Sequence, residues 1–218
     1  MNESEESNTL VIGLTGGIGS GKSVVALIIS NMGYPVISTD EKAKEIMVSD
    51  DAVKNKLIME FGSEVFLPGR KLNNEYLANL VFGPTKTHKK ALEKLNSIVH
   101  PPVIDYMMAE VEKHEMAGKP MVFVESALIY EAELDEGFDY VITVHSSEEN
   151  RLERAMKRTG MSKEQVKARM NEQFTQDEKR KLADFVIENN GTIKELKKSV
   201  EFVVDLLKLM PNKSEEEE

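Results

Sequence analysis

The chain has 218 residues, 40% of them hydrophobic, a formal net charge of −10 and no cysteine. That length suits one globular domain with insertions or two small ones, and the absence of cysteine excludes disulfides and thiolate metal sites. No apolar run approaches the roughly 20 residues of a membrane span, and the negative balance argues against non-specific binding to nucleic acid or anionic membrane.

The start MNESEES is polar and acidic, unlike a signal or transit peptide, so a cytoplasmic protein is expected. Residues 1–7 and 211–218 have almost no apolar side chains to bury and are expected to be disordered. Between them, five short runs rich in β-branched residues read as strands: 10–14, 35–38, 121–125, 140–144 and 184–187. Most are continuously apolar, the pattern of a parallel sheet covered on both faces. Amphipathic segments alternate with them, which implies an α/β fold.

The first run enters GLTGGIGSGKSVV, residues 13–25, and a helix is expected from Lys22 to about Asn31. Gly16-x-x-x-x-Gly21-Lys22-Ser23 between a strand and a helix fits the P-loop pattern. Glycine permits the sharp turn that points successive N–H groups at phosphates, and the helix N-terminus adds partial positive charge. In that reading Lys22 reaches the β- and γ-phosphates, and the Ser23 hydroxyl is a Mg²⁺ ligand. The chain contains neither D-x-x-G nor N/T-K-x-D, so a regulatory GTPase is not the expectation.

Asp40 follows the second strand. Strand C-terminal ends converge on the ligand crevice of such sheets. The carboxylate can take a hydroxyl proton from an acceptor, hold Mg²⁺ through water, or cap the helix begun by EKAKEIM. Helical patterns then run near 40–48, 51–61, 72–82, 84–99 and 103–117 with no convincing strand. This stretch is far longer than a crossover needs and reads as a helical insertion. His100-Pro101-Pro102 ends it; His100 can touch substrate or be structural, and Pro101 can set a turn. Glu125 closes the third strand, MVFVE. It can orient Mg²⁺-bound water or a substrate hydroxyl, or be a polar residue at an exposed strand end. Beyond the fourth strand, Ser146-x-x-Glu149 and Ser162-x-x-Gln165 read as helix starts, as does Thr192-x-x-Glu195 for the last helix. Residues 151–181 hold ten Lys and Arg against five Asp and Glu, inside an acidic chain. Arg151, Arg154 and Arg158 share one helical face. The cluster reads as a lid that closes over phosphates.

TGGIGSGKS at 15–23, Asp40, Val99-His100-Pro101 and ESALIYE at 125–131 together resemble the dephospho-coenzyme A kinase family. So do Arg169-x-x-x-Gln173 and ADFVIENNG at 183–191, and the likeness spans residues 9–207 in order. It implies a three-layer P-loop α/β/α fold around a five-stranded parallel sheet. The core would comprise 8–40, 119–150 and 182–209, with a helical CoA-binding insertion at 41–118 and a lid at 151–181. It implies ATP and Mg²⁺ as cofactors and phosphorylation of the ribose 3′-hydroxyl of dephospho-CoA, the last step of coenzyme A synthesis. The expected partner is that small molecule, with no nucleic acid or membrane, and the chain a monomer or weak homo-oligomer. By the same resemblance Gly17, Ile18, Gly19, Ser20, Gly21, Lys22, Ser23 and Val24 hold the nucleotide. Asp40 activates the 3′-hydroxyl, and Arg154 and Arg158 supply lid charge beside Lys22. Asp40, His100 and Glu125 face the substrate. Two departures stand out: Ser38-Thr39-Asp40 replaces the common D-A-D, and ESALIYE replaces D-x-P-L-L-F-E, so Glu125 becomes a longer stand-in for Asp. The residues alone leave room for another small-molecule kinase, or for a nucleotide sensor without turnover.

Overall fold

The computed structural model describes residues 9–213. Strand β1 (Leu10–Thr15) leads through the glycine-rich turn into α1 (Lys22–Asn31), and β2 (Val36–Ser38) into α2 (Thr39–Ser49). Next come α3 (Asp51–Phe61), β3 (Phe66–Leu67), β4 (Lys71–Leu72), α4 (Asn74–Val81) and α5 (Lys86–Met116). Strands β5 (Met121–Glu125) and β6 (Tyr140–His145) follow. Helices α6 (Glu148–Thr159), α7 (Lys163–Asn171) and α8 (Gln176–Leu182), strand β7 (Phe185–Glu188) and α9 (Ile193–Leu207) complete the order.

Strands β1, β2, β5, β6 and β7 form one parallel sheet in the order β2-β5-β1-β6-β7. Their apolar runs are continuous because both faces are covered. Ile12, Leu14 and Phe123 pack against Val25 and Ile29 of α1 and Val200 and Val204 of α9. On the other face Val122, Val124 and Val141 meet Tyr106, Met107 and Val111 of α5. This is the α/β/α sandwich expected. In the register, Leu14 and Ser38 both stand beside Glu125. The C-terminal ends of β1, β2 and β5 therefore converge, and the glycine-rich turn, Asp40 and Glu125 emerge at one place. Helices α2 to α5 bury a cluster of their own, including Ile46, Leu57, Phe61, Leu77, Val81 and Val99.

The structure corrects the sequence reading in several places. His100-Pro101-Pro102 neither ends the helical stretch nor sets a turn: α5 runs through it. Prolines there deny N–H donors to the carbonyls of Ser97 and Ile98, which costs about 3 kcal/mol in a helix interior. Buried Val99 and Val103 bracket the pair and hold both halves on the insertion's core. The stretch between β2 and β5 also contains a short antiparallel hairpin, β3–β4, with Phe66 opposite Leu72. Two-residue strands leave almost no periodic signal. Helix α6 is capped by Ser147, whose Oγ accepts the Asn150 N–H, not by Ser146. The Ser146 hydroxyl turns inward and donates to the Asn189 carbonyl (3.0 Å). The boxes at Ser162–Gln165 and Thr192–Glu195 form as read, and Thr175–Glu178 adds another. The expected disorder of 1–7, and of 214–218 in the tail, lies outside the described residues. Pro211 and Lys213 are described: Tyr140 Oη donates to the Pro211 carbonyl (2.9 Å), and the Lys213 ammonium lies 3.2 Å from Asp184 Oδ1. Among the described residues no helix is long and apolar enough to cross a membrane.

Candidate active site

The glycine-rich turn is held from outside, which leaves its inner side free. Gly19 and Gly21 have φ of 79° and 97°, in the region that favours glycine. Space decides as well: a Cβ would lie 2.2 Å from the Arg151 carbonyl oxygen at Gly19 and 2.1 Å from Asn189 Nδ2 at Gly21. Asn189 Nδ2 donates to the Ser20 carbonyl (2.7 Å), Gln173 Oε1 accepts the Ile18 N–H (2.9 Å), and Arg151 Nε donates to the Ile18 carbonyl (3.1 Å). Residues from 151–181 and from ADFVIENNG thus clamp the turn from behind. The Ser20 hydroxyl is buried without a hydrogen-bond partner. The first turn of α1 has no acidic residue of its own to offset its partial positive charge.

The turn forms one wall of a cleft of about 430 Å³, a size typical of ligand sites. Gly17, Ile18, Gly19, Ser20, Gly21, Lys22, Ser23 and Val24 all line it, together with Asp40, His100 and Arg158. Lys22 Nζ donates to Asp40 Oδ2 (2.6 Å) and lies 3.2 Å from Glu125 Oε1. Ser23 Oγ donates to the same Glu125 oxygen at 2.8 Å. Asp40 Oδ1 accepts the Ala127 N–H at 3.2 Å. Asp40 is therefore no helix cap: it is the second residue of α2, and both its oxygens are engaged across the cleft. Nor is Glu125 an exposed strand end, since it is 5% exposed. Thr39, in the D-A-D departure, donates its hydroxyl to the Glu125 carbonyl (3.0 Å) and ties β2 to β5.

Burial pushes the His100 imidazole below its ordinary value, so the ring faces the cleft neutral. Two expected residues are not in the cleft lining: Glu125, which meets it through Lys22 and Ser23, and Arg154, which stands farther off. The Arg154 guanidinium donates to Ser146 Oγ (3.2 Å) and to the Asn189 carbonyl (3.0 Å), behind the P-loop. The cleft's second guanidinium comes instead from Arg169 on α7. It lies 4.8 Å from the ring centroid of Phe82, and burial lowers its pKa. Neither Arg158 nor Arg169 has a carboxylate partner among the described residues. Two unpaired guanidinium groups facing a cleft suit an anionic ligand. Arg169 and Gln173, which also lines the cleft, were visible only as spacing in Arg169-x-x-x-Gln173; nothing local in the sequence assigns them to the P-loop.

The donor set fits Mg²⁺. Ser23 Oγ, Glu125 and Asp40 offer hard oxygens, and no group of three or more His, Cys, Asp or Glu able to hold a metal occurs among the described residues. Mg²⁺ beside phosphates takes one or two protein oxygens and keeps several waters, so a dedicated cage is not needed.

Comparison with known proteins bears on this arrangement. The sequence model of the dephospho-CoA kinase family matches residues 10–195. A dephospho-CoA kinase of Listeria innocua is 36% identical over 189 residues, covering 87% of this chain and 92% of its own. A crystal structure of a Thermus thermophilus protein superposes with a TM-score of 0.75 at 34% identity, covering 91% of this chain and 98% of that one. The dephospho-CoA kinase of Campylobacter jejuni gives 0.64 at 26% identity, over 93% and 98%.

Proposed function

This chain belongs to the dephospho-CoA kinase family, and from that premise we propose that it moves the γ-phosphoryl group of ATP to the ribose 3′-hydroxyl of dephospho-CoA, giving coenzyme A. The observation that carries the reading is the contact between Lys22 and Asp40 inside the P-loop cleft. It sets a phosphate-binding cation beside a carboxylate able to receive a hydroxyl proton.

The P-loop amides and the N-terminus of α1 bind the nucleotide's phosphates, with Lys22 leaving its carboxylates for the terminal phosphate. Asp40 is then released toward the acceptor oxygen, and its second oxygen stays on the Ala127 amide. The 3′-oxygen forms a bond to the γ-phosphorus as the bond to the β-phosphate oxygen breaks, and the hydroxyl proton passes to Asp40. Arg158 and Arg169 neutralise charge on the transferred group. Ser23, with Glu125 beside it, would hold Mg²⁺, which would supply charge neutralisation for the transferring phosphates. His100 and Phe82 offer a neutral, partly apolar wall to the acceptor. The same reading puts the reaction in the cytoplasm, with no nucleic acid among the partners, and the net charge of −10 supports the latter.

An acceptor screen tests this. ADP release should depend on dephospho-CoA and be far slower with AMP, CMP or uridine, and mass spectrometry should find coenzyme A. Faster turnover of a nucleotide or nucleoside overturns the reading in favour of another small-molecule kinase; ATP binding without acceptor-dependent turnover would favour a sensor.

A further inference from the structure

Lys179, on α8, has a side chain that is 0% exposed. Its ammonium lies 2.8 Å from the Ala127 carbonyl oxygen and 2.9 and 3.0 Å from the two Glu131 oxygens. Three acceptors match its three N–H donors. Glu131 Oε1 also accepts the Phe174 N–H (2.8 Å), in the link between α7 and α8. Across the peptide at Ala127 lies the cleft: the same residue whose carbonyl meets Lys179 offers its N–H to Asp40 Oδ1. A single buried cation on α8 therefore joins the α7–α8 link, the turn after β5 and the carboxylate that faces the acceptor.

Stability does not account for such a group. Burial opposes its charge and pushes its pKa down despite Glu131. Replacing a buried ion pair by apolar side chains of similar volume is often neutral or stabilising. What the pair supplies is orientation.

We propose that Lys179 is a positioning residue for phosphoryl transfer: by holding the Ala127 carbonyl and Glu131 it fixes the turn whose Ala127 N–H aims Asp40, and couples that aim to the seating of the lid. Without it, the Ala127 carbonyl keeps only the long contact from the Thr15 hydroxyl (3.5 Å), which holds the peptide's orientation, and so the aim of Asp40, less firmly. This rests on the function proposed above.

The test compares the wild-type enzyme with Lys179→Met, Lys179→Arg and the double variant Lys179→Met/Glu131→Leu. It reads melting temperature, ATP affinity, and kcat and KM for dephospho-CoA. Lys179→Met should lower kcat at least ~30-fold, since small misplacements near reacting atoms cost up to ~100-fold, while ATP affinity changes less than about threefold. It leaves Glu131 buried and unpaired and should melt earlier. The double variant removes that defect: its melting temperature should return to near the wild-type value while kcat stays low. Lys179→Arg, still a buried donor, should regain part of kcat. A double variant that regains kcat together with stability overturns the proposal, because the pair would then be packing alone. So does a folded Lys179→Met enzyme with near-normal kcat. Absent wild-type turnover overturns the functional reading and this inference with it; wild-type turnover with indifferent variants overturns the inference only.

Discussion

Lys22 Nζ and Asp40 Oδ2 lie 2.6 Å apart, although one belongs to the helix after β1 and the other to the helix after β2. Strand β5 stands between those strands in the sheet and supplies Glu125, the second carboxylate on the same lysine. The three side chains form a charge cluster that a nucleotide must open. Lys22→Ala removes both the phosphate contact and the counter-charge of two carboxylates. Its kcat should fall at least ~100-fold, the scale of losing one preorganised transition-state donor. Steady-state ADP release checks it, and near-normal turnover contradicts the assignment.

The arginines divide by location. Arg158→Ala and Arg169→Ala should each lower kcat by ~100-fold or more, because both guanidinium groups face the cleft without a carboxylate partner. Arg154 instead grips the Asn189 carbonyl, and Asn189 in turn holds the Ser20 carbonyl. Arg154→Ala should show mainly as weaker ATP binding and a lower melting temperature. Parallel kcat, ATP affinity and thermal measurements separate the two patterns; a larger kcat loss for Arg154→Ala than for the other two would contradict the division.

Glu125 shares one oxygen with Ser23 and Lys22. Glu125→Gln should raise the Mg²⁺ concentration for half-maximal activity by ~10-fold or more, as loss of a supporting ligand commonly does. Chelation of Mg²⁺ should abolish turnover in both enzymes, with activity restored on adding the ion back. A Mg²⁺ titration that superposes on the wild-type curve would remove Glu125 from the metal's surroundings.

His100 is held neutral by burial, with its pKa depressed in the folded protein. The folded state therefore binds fewer protons than the unfolded state, and acid favours unfolding. The stability of the neutral ring is intact above about pH 6.5, the ordinary imidazole value, and is lost as pH falls through the lower folded value. Between pH 7.5 and 5.5 the melting temperature of His100→Gln should fall less than that of the wild type. Equal slopes would show that other groups set the acid sensitivity.

The sequence carried the sheet because β1, β5 and β6 are buried on both faces and read as unbroken apolar runs. It carried the phosphate loop because Gly19 and Gly21 need both positive φ and empty space, which few residue types satisfy. Asp40 was legible from its place after a strand end. Helix α5 was not, because Pro101 and Pro102 look like a stop, and only the buried Val99 and Val103 explain why the helix continues. The hairpin at Phe66–Leu72 was too short to leave a pattern. Arg154, Arg158 and Arg169 look alike as sequence. Which of them enters the cleft depends on how α6 and α7 pack against Ile18, a long-range contact with no local signature.

The most direct measurement of the central claim is ADP release on adding dephospho-CoA to saturating ATP and Mg²⁺, with the wild-type enzyme beside Asp40→Asn. Asn keeps the shape of the side chain and can still accept the Ala127 N–H, but it cannot take a proton from the acceptor. The wild type should turn over, and Asp40→Asn should bind ATP about as well yet lose most of kcat, roughly 100-fold or more for a general base. An unchanged kcat in Asp40→Asn would contradict the account.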